Sequence, residues 1–255
     1  MRMLCLLLCL PNIGWAAPLL RSEGLATGSD GSVLYREGHW QDGPQAGAQR
    51  WVQYECPDGR PFARKQLPAS GRAQVRGYRL QDMRSGQDAV VEVASGAVRI
   101  QWRESTAAAR RERELALPAD AVVDMGFDAA VRQHWGALMR GETLTLPFLV
   151  PGRQQFYPVK VIRRAALRWE GHSAQQIEVA LAAWYGGLAP RLRLVYADAD
   201  QRLLEFRGTS NLRDAEGGYP QVTVRFAQIA QEQGREDYRR QWSRPLIARC
   251  HVNKA

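Results

Sequence analysis

Apolar and polar residues alternate with a period of two through most of this chain, which commits it to strands with one buried face. Val98, Ile100 and Trp102 alternate with Arg99, Gln101 and Arg103. Val222, Val224 and Phe226 do the same against Gln221, Thr223 and Arg225. Leu192, Leu194 and Tyr196 form a third run, and the turn-rich Asp198-Ala199-Asp200 joins it to Leu203–Phe206 as a hairpin. Val33–Trp40 and Arg50–Cys56 flank Gln41-Asp42-Gly43-Pro44, a second hairpin signal. Phe62–Leu67, Gln74–Gln81, Ala89–Val93, Thr143–Val150, Phe156–Arg163 and Ser173–Leu181 are further candidate strands. Roughly ten short strands between polar turns predict a large antiparallel sheet or open barrel. Thirteen Pro and 23 Gly scattered among them argue against a helical bundle.

One segment breaks the pattern. From about Asp124 to Arg140, Phe127, Val131, Trp135 and Leu138 recur at helical spacing, and Gly141 is placed to close the helix. Thr106–Glu114 reads equally as helix, strand margin or loop, and Gly186-Gly187 marks a break after Trp184-Tyr185. Gln231–Gln241 is polar, a surface helix or a mobile tail. No linker divides the chain. The expectation is one β-rich domain over 17–255, with a polar C-terminal extension from about 227 and the central helix joining two sets of strands.

Residues 1–16 read as an export signal. Met1-Arg2 is a basic start, Met3–Leu10 is apolar, and Gly14-Trp15-Ala16 offers small residues at the −3 and −1 positions. A buried first strand is the alternative. Leu6-Leu7-Leu8-Cys9 departs from a lipoprotein box because Leu8 stands where a small residue belongs. Cleavage would leave 239 of 255 residues and a formal charge of +8, from 34 basic and 26 acidic side chains. It would also leave two of the four cysteines, Cys56 and Cys250. In an oxidising periplasm two cysteines suggest one disulfide, tying the second predicted strand to the carboxyl end. Two buried thiols or a reactive cysteine are the alternatives. Cys250 and His251 cannot pair on an extended chain, where neighbours point to opposite faces.

Beyond the amino terminus no apolar run reaches the roughly 18 residues that a membrane-spanning helix needs. The positive charge is nearly all arginine and dispersed, without the clustered motif and interleaved aromatics of a nucleic-acid binder. Anionic lipid headgroups, an acidic envelope partner or plain solvation account for it.

Chemistry-bearing patterns are sparse. His39, His134, His172 and His251 show no metal-ligand spacing, and Asp198, Asp200 and Glu205 lack the rest of a calcium loop. There is no GxSxG elbow, phosphate loop or dinucleotide fingerprint, so no cofactor is expected. Paired carboxylates for glycoside hydrolysis cannot be placed from sequence. Ser210, Asn211 and Asp214 fit turn formation better than ligand contact.

Two stretches carry a family likeness. Asp124-Met125-Gly126-Phe127-Asp128 leads through His134-Trp135, Leu138 and Gly141-Glu142 to Phe148-Leu149-Val150-Pro151. Leu194-Val195-Tyr196 is followed by Arg202–Asn211. Over about 120–226 the chain resembles a family of exported proteobacterial proteins akin to the lipoprotein-carrier-like β half-barrels. The resemblance implies a curved antiparallel sheet embracing a helix, and at fold level the binding of lipid or acyl chains. The expected fold is therefore mainly β, a curved sheet or half-barrel with a helix packed on its concave face; a two-sheet sandwich is the runner-up. The expected function is a non-catalytic periplasmic protein that binds an apolar or amphipathic envelope molecule, a lipid or lipoprotein acyl chain. Phe127, Val131, Trp135, Leu138 and Tyr196 are its candidate ligand contacts. The helix carrying four of them is either a plug or a lid. An envelope assembly factor binding a protein partner is the alternative, and a hydrolase ranks third.

Overall fold

The computed structural model describes residues 17–182, 191–226 and 229–250. The proposed signal segment, Gly186-Gly187 and His251 lie outside the described residues. The first half is a meander of β1 (Leu19–Thr27), β2 (Val33–Gln41), β3 (Arg50–Glu55), β4 (Pro61–Leu67), β5 (Tyr78–Asp82), β6 (Asp88–Ala94), β7 (Ala97–Arg103) and β8 (Arg111–Ala116). The chain then crosses to β9 (Val122–Val123) and two short helices, α1 (Gly126–Gln133) and α2 (Trp135–Met139). A second meander follows: β10 (Leu144–Val150), β11 (Gln155–Trp169), β12 (His172–Leu181), β13 (Leu192–Ala197), β14 (Leu203–Thr209) and β15 (Gln221–Arg225). A short β16 (Gln231–Gln233) and the helix α3 (Arg235–Trp242) end the described chain.

All sixteen strands belong to one curved, open sheet, in the order 8-7-6-5-4-3-2-1-15-14-13-12-11-10-9, with β16 on the end of β1. Every pairing is antiparallel except β9 with β10. The expected curved sheet with an inner helix is what forms, and the sandwich is not. The two meanders fuse where β1 meets β15, Leu25 opposite Arg225. Curvature brings the far edges towards each other at one corner. Arg111 of β8 donates to the Gly152 carbonyl at 2.8 Å, just beyond β10, and Gly152 packs on Trp102 of β7.

Alternation decides which residues line the inner face. Tyr35, Val52, Tyr54, Leu80, Val91, Ile100, Trp102, Val222 and Val224 are buried in one cluster with Val123 and Leu149. Leu194 and Tyr196 join a second cluster with the helices, and Phe206 bridges the two. Leu192 and Phe226, also expected inside, are partly buried there. A bulge between Val195 and Tyr196 resets the alternation, so Leu204 turns to a small outer cluster with Val195, Ala197 and Ala174.

The outer face of the first meander is covered too. Trp40, only 1% exposed, donates from Nε1 to Gln233 at 2.6 Å, and its ring meets Tyr238 and Trp242 of α3 edge-on. The polar tail thus resolves into a strand and a docked helix. Its end is fixed by the Cys56–Cys250 disulfide and by Ile247, whose amide donates to the Pro61 carbonyl. Farther round, two nearly buried carboxylates each sit between two arginines: Glu178 with Arg164 and Arg191, Glu205 with Arg207 and Arg225.

Candidate functional site

The single expected helix is two. It breaks at His134, whose backbone leaves the helical region, and Gly141 closes the second piece at φ +86°. Asp124 opens the unit at φ +49°, unusual for a residue with a side chain. The four helical candidates do share a face. Phe127, Val131 and Leu138 are buried against Leu146, Val159, Val161, Ile177 and Val179, together with Tyr196. Trp135 lies at the rim with its ring 6.1 Å from that of Tyr196. All five candidates therefore meet in one apolar layer between helix and sheet.

Two contacts seat this cover. Lys65 of β4, 1% exposed, donates to both Asp124 carboxylate oxygens at 2.8 and 3.0 Å, with its ammonium over the Tyr78 ring. Asn211 adds a longer bond to Asp124 at 3.4 Å. Ser210 and Asp214 instead accept from the local amides of Leu212 and Gly218, the turn role expected of them. At the other contact the backbone of Gly126 presses on Gln74. A Cβ there would lie 1.9 Å from the Gln74 carbonyl oxygen, so only glycine permits this approach.

Beside α1 the sheet opens into a crevice of about 20 Å³ lined by Arg50, Arg76, Arg132, Asp128, Met125 and Leu67, among others. Arg132 pairs with Asp128 one helical turn away at 3.1 Å. Arg76 is 3% exposed and spends its terminal nitrogen on the Ala46 and Ala48 carbonyls. The Nε atoms of Arg50, Arg76 and Arg132 and Oδ1 of Asp128 are buried without a hydrogen-bond partner among the described residues. Burial, and then the charge of Arg50, brings Arg76 down to about 10. Burial also raises the Asp128 carboxyl against the pull of Arg132 and Arg50. The Tyr196 hydroxyl is pushed well up, first by burial and then by Asp128, so this charged crevice adjoins the apolar layer.

Sequence reasoning missed these four charged residues. Asp128 and Arg132 carry a readable i, i+4 signal, but Arg50 and Arg76 join them only through folding.

Two other features stand out. On the inner face His39 Nε2 lies 2.8 Å from Glu37, and its ring meets Phe226 edge-on. Ser22 faces His39 in register across β1 and β2, yet among the described residues no side-chain hydrogen bond joins the two. A groove of about 920 Å³ also runs between the 66–79 segment and β6, lined by Gln49, Gln66, Arg72, Arg79, Val90 and Glu92 among others. Among the described residues no three His, Cys, Asp or Glu converge as a metal site, and no helix is long and apolar enough to cross a membrane.

No family model matches the chain, and no curated protein matches it in sequence. Solved structures similar in shape include the following two. One is a beta-barrel-like protein of domain of unknown function DUF1849 from Brucella abortus, with 8% identity and a TM-score of 0.49 over 85% of this chain and 98% of that one. The other is a putative outer membrane lipoprotein-sorting protein domain from Vibrio parahaemolyticus, with 8% identity and a TM-score of 0.27 over 87% of each chain. At these values neither likeness bears on what this chain does, and its own side chains must carry the functional reading.

Proposed function

We propose that this is a non-catalytic periplasmic protein that binds an apolar or amphipathic envelope molecule, such as a lipid or lipoprotein acyl chain, beneath α1 and α2. One observation carries the reading. Two short helices of eight and five residues cover the apolar inner surface of β10–β13, and they are bounded by positive-φ residues at Asp124 and Gly141. Lifting so small a unit exposes a continuous wall of Val161, Ile177, Val179, Leu194 and Tyr196, while the helices contribute Phe127, Val131, Trp135 and Leu138. Ligand cavities are mostly apolar with a few placed polar groups, and this layer with its charged margin has that composition. On this reading the helices are a lid that closes as a plug when no ligand is held. The basic and apolar start of the chain and the Cys56–Cys250 bridge fit export to an oxidising compartment.

Native mass spectrometry of the protein purified from periplasm, followed by lipid extraction, tests the proposal. Co-purified acyl lipid that is lost on Val131→Asp is the expected result. A chain that binds neither lipid nor an apolar fluorescent probe at saturation overturns it. The groove beside β6 favours a second reading, an assembly factor that holds a segment of an envelope protein. A reproducible protein partner without lipid would select that reading.

A further inference from the structure

The electrostatics of the crevice beside α1 run against folding. Three guanidinium groups, Arg50, Arg76 and Arg132, line it with one carboxylate, Asp128, a net charge of +2 (three minus one). Like charges brought together out of water cost stability unless a counter-charge joins them. Asp128 supplies only part of that counter-charge. Its Oδ2 is engaged by Arg132 while Oδ1 is unpaired, and one Nε–H on each of the three arginines also lacks an acceptor. Buried donors without acceptors are rare in folded proteins and mark a place where an acceptor belongs. Arginine is the side chain best matched to phosphate and carboxylate oxygens, through its planar fork of donors.

We propose that this crevice is a binding site for one phosphate-type anionic group, either a free phosphate or the phosphate of a lipid headgroup. Its volume of about 20 Å³ admits a water-sized oxygen rather than a bulky headgroup. The anion therefore seats at the mouth with one oxygen inserted among the guanidinium groups. Arg76 is the fixed floor of the site, because the Ala46 and Ala48 carbonyls already orient it. Arg132 is the adjustable wall: it stands on the covering helix and exchanges its internal partner, Asp128, for the incoming anion. Asp128 acts as the resident competitor. The site stands on its own residues and does not require an apolar ligand beneath the helices. If such a ligand binds, the neighbouring Tyr196 is where headgroup site and chain site meet.

Isothermal titration of the full chain with sodium phosphate at low ionic strength tests the proposal, with dihexanoyl phosphatidate below its micellar range as a second titrant. One phosphate per chain is expected. Its affinity should fall about tenfold or more in Arg50→Gln and in Arg132→Gln, as for loss of a charge-assisted hydrogen bond. Asp128→Asn should bind phosphate more tightly than the parent, a gain that a purely structural role for Asp128 does not produce. Tighter binding of phosphatidate than of phosphate assigns the anion to a lipid headgroup, and equal binding assigns it to a free anion. No phosphate binding at tens of millimolar, or binding unchanged in all three variants, overturns the site. If phosphate binds but no acyl chain ever does, the anion site survives and the acyl-ligand reading fails.

Discussion

Lys65 shows how much a single buried charge settles in this molecule. Its ammonium lies under the covering helix, and Asp124 is the carboxylate that neutralises it. Breaking such a pair from one side leaves a stranded charge, which costs about 3–5 kcal/mol. Asp124→Ala is expected to lower stability by that order in a denaturant titration, and adding Lys65→Met should recover part of the loss. Full additivity of the two substitutions would show that the pair is not coupled. Gly126→Ala makes a steric counterpart, since the new methyl group would enter the Gln74 carbonyl. Backbone cannot yield as a flexible side chain does, so a fall in melting temperature of several degrees is expected, with α1 displaced. A variant that melts with the parent would mean the loop retreats freely. None of this was legible in the sequence. Lys65 sits in an alternating strand among other polar residues, and nothing local reveals that it faces inward towards a carboxylate 59 positions away.

At the scale of elements the sequence was most readable where one face is buried and the other wet. The runs around Ile100, Leu194 and Val224 form strands within a residue or two of their expected limits. The strand β1 was missed because Leu19-Leu20-Arg21-Ser22-Glu23-Gly24-Leu25-Ala26-Thr27 does not alternate. It is flanked by β2 on one side and by β15 and β16 on the other, and its pattern records those mixed surroundings. The strand β8 was unreadable for the opposite reason: as an exposed edge of alternating Arg and Glu it buries almost nothing. Among the candidate ligand residues the shared helical face was predictable from spacing. The break at His134 was not, because no proline marks it and Gly136 falls inside the second helix. The C-terminal helix makes an element-scale prediction. It is held by Trp40, Trp51 and the Cys56–Cys250 bridge, which closes a loop of 194 residues. Reduction should cost up to about 5 kcal/mol in the chain-entropy model. It should also loosen Tyr238 and Trp242 first, seen as protease cleavage after Arg239 or Arg240 in the reduced chain alone. Equal cleavage with the bridge intact would show that aromatic packing does not depend on it.

The molecule as a whole holds four of its eight tyrosines, Tyr35, Tyr54, Tyr78 and Tyr196, in the interior, which sets its limit at high pH. Burial raises Tyr54, Tyr78 and Tyr196 well above their usual value near 10, raises Tyr35 as well, and brings Tyr238 to about 12. In the unfolded chain these hydroxyls ionise near 10, so above that pH the unfolded state binds fewer protons than the folded one. Their contribution is therefore fully present below about pH 10 and is lost as pH rises further. The tyrosinate absorbance of the buried four should appear in one cooperative step coincident with loss of the near-ultraviolet dichroism. Gradual ionisation of those four in a still-folded protein would contradict this burial. The order of the sheet has a different consequence, one of timing. The first strand, β1, lies in the middle of the sheet, and its neighbour on one side is β15, almost two hundred residues later. Until β15 arrives, β1 presents an open edge, and the first meander is a sheet with an unfilled seam. Contacts this far apart in sequence close slowly. Whatever reaches that open edge before β15 does competes with folding, so the first meander alone is the stretch of this chain most open to edge-to-edge association.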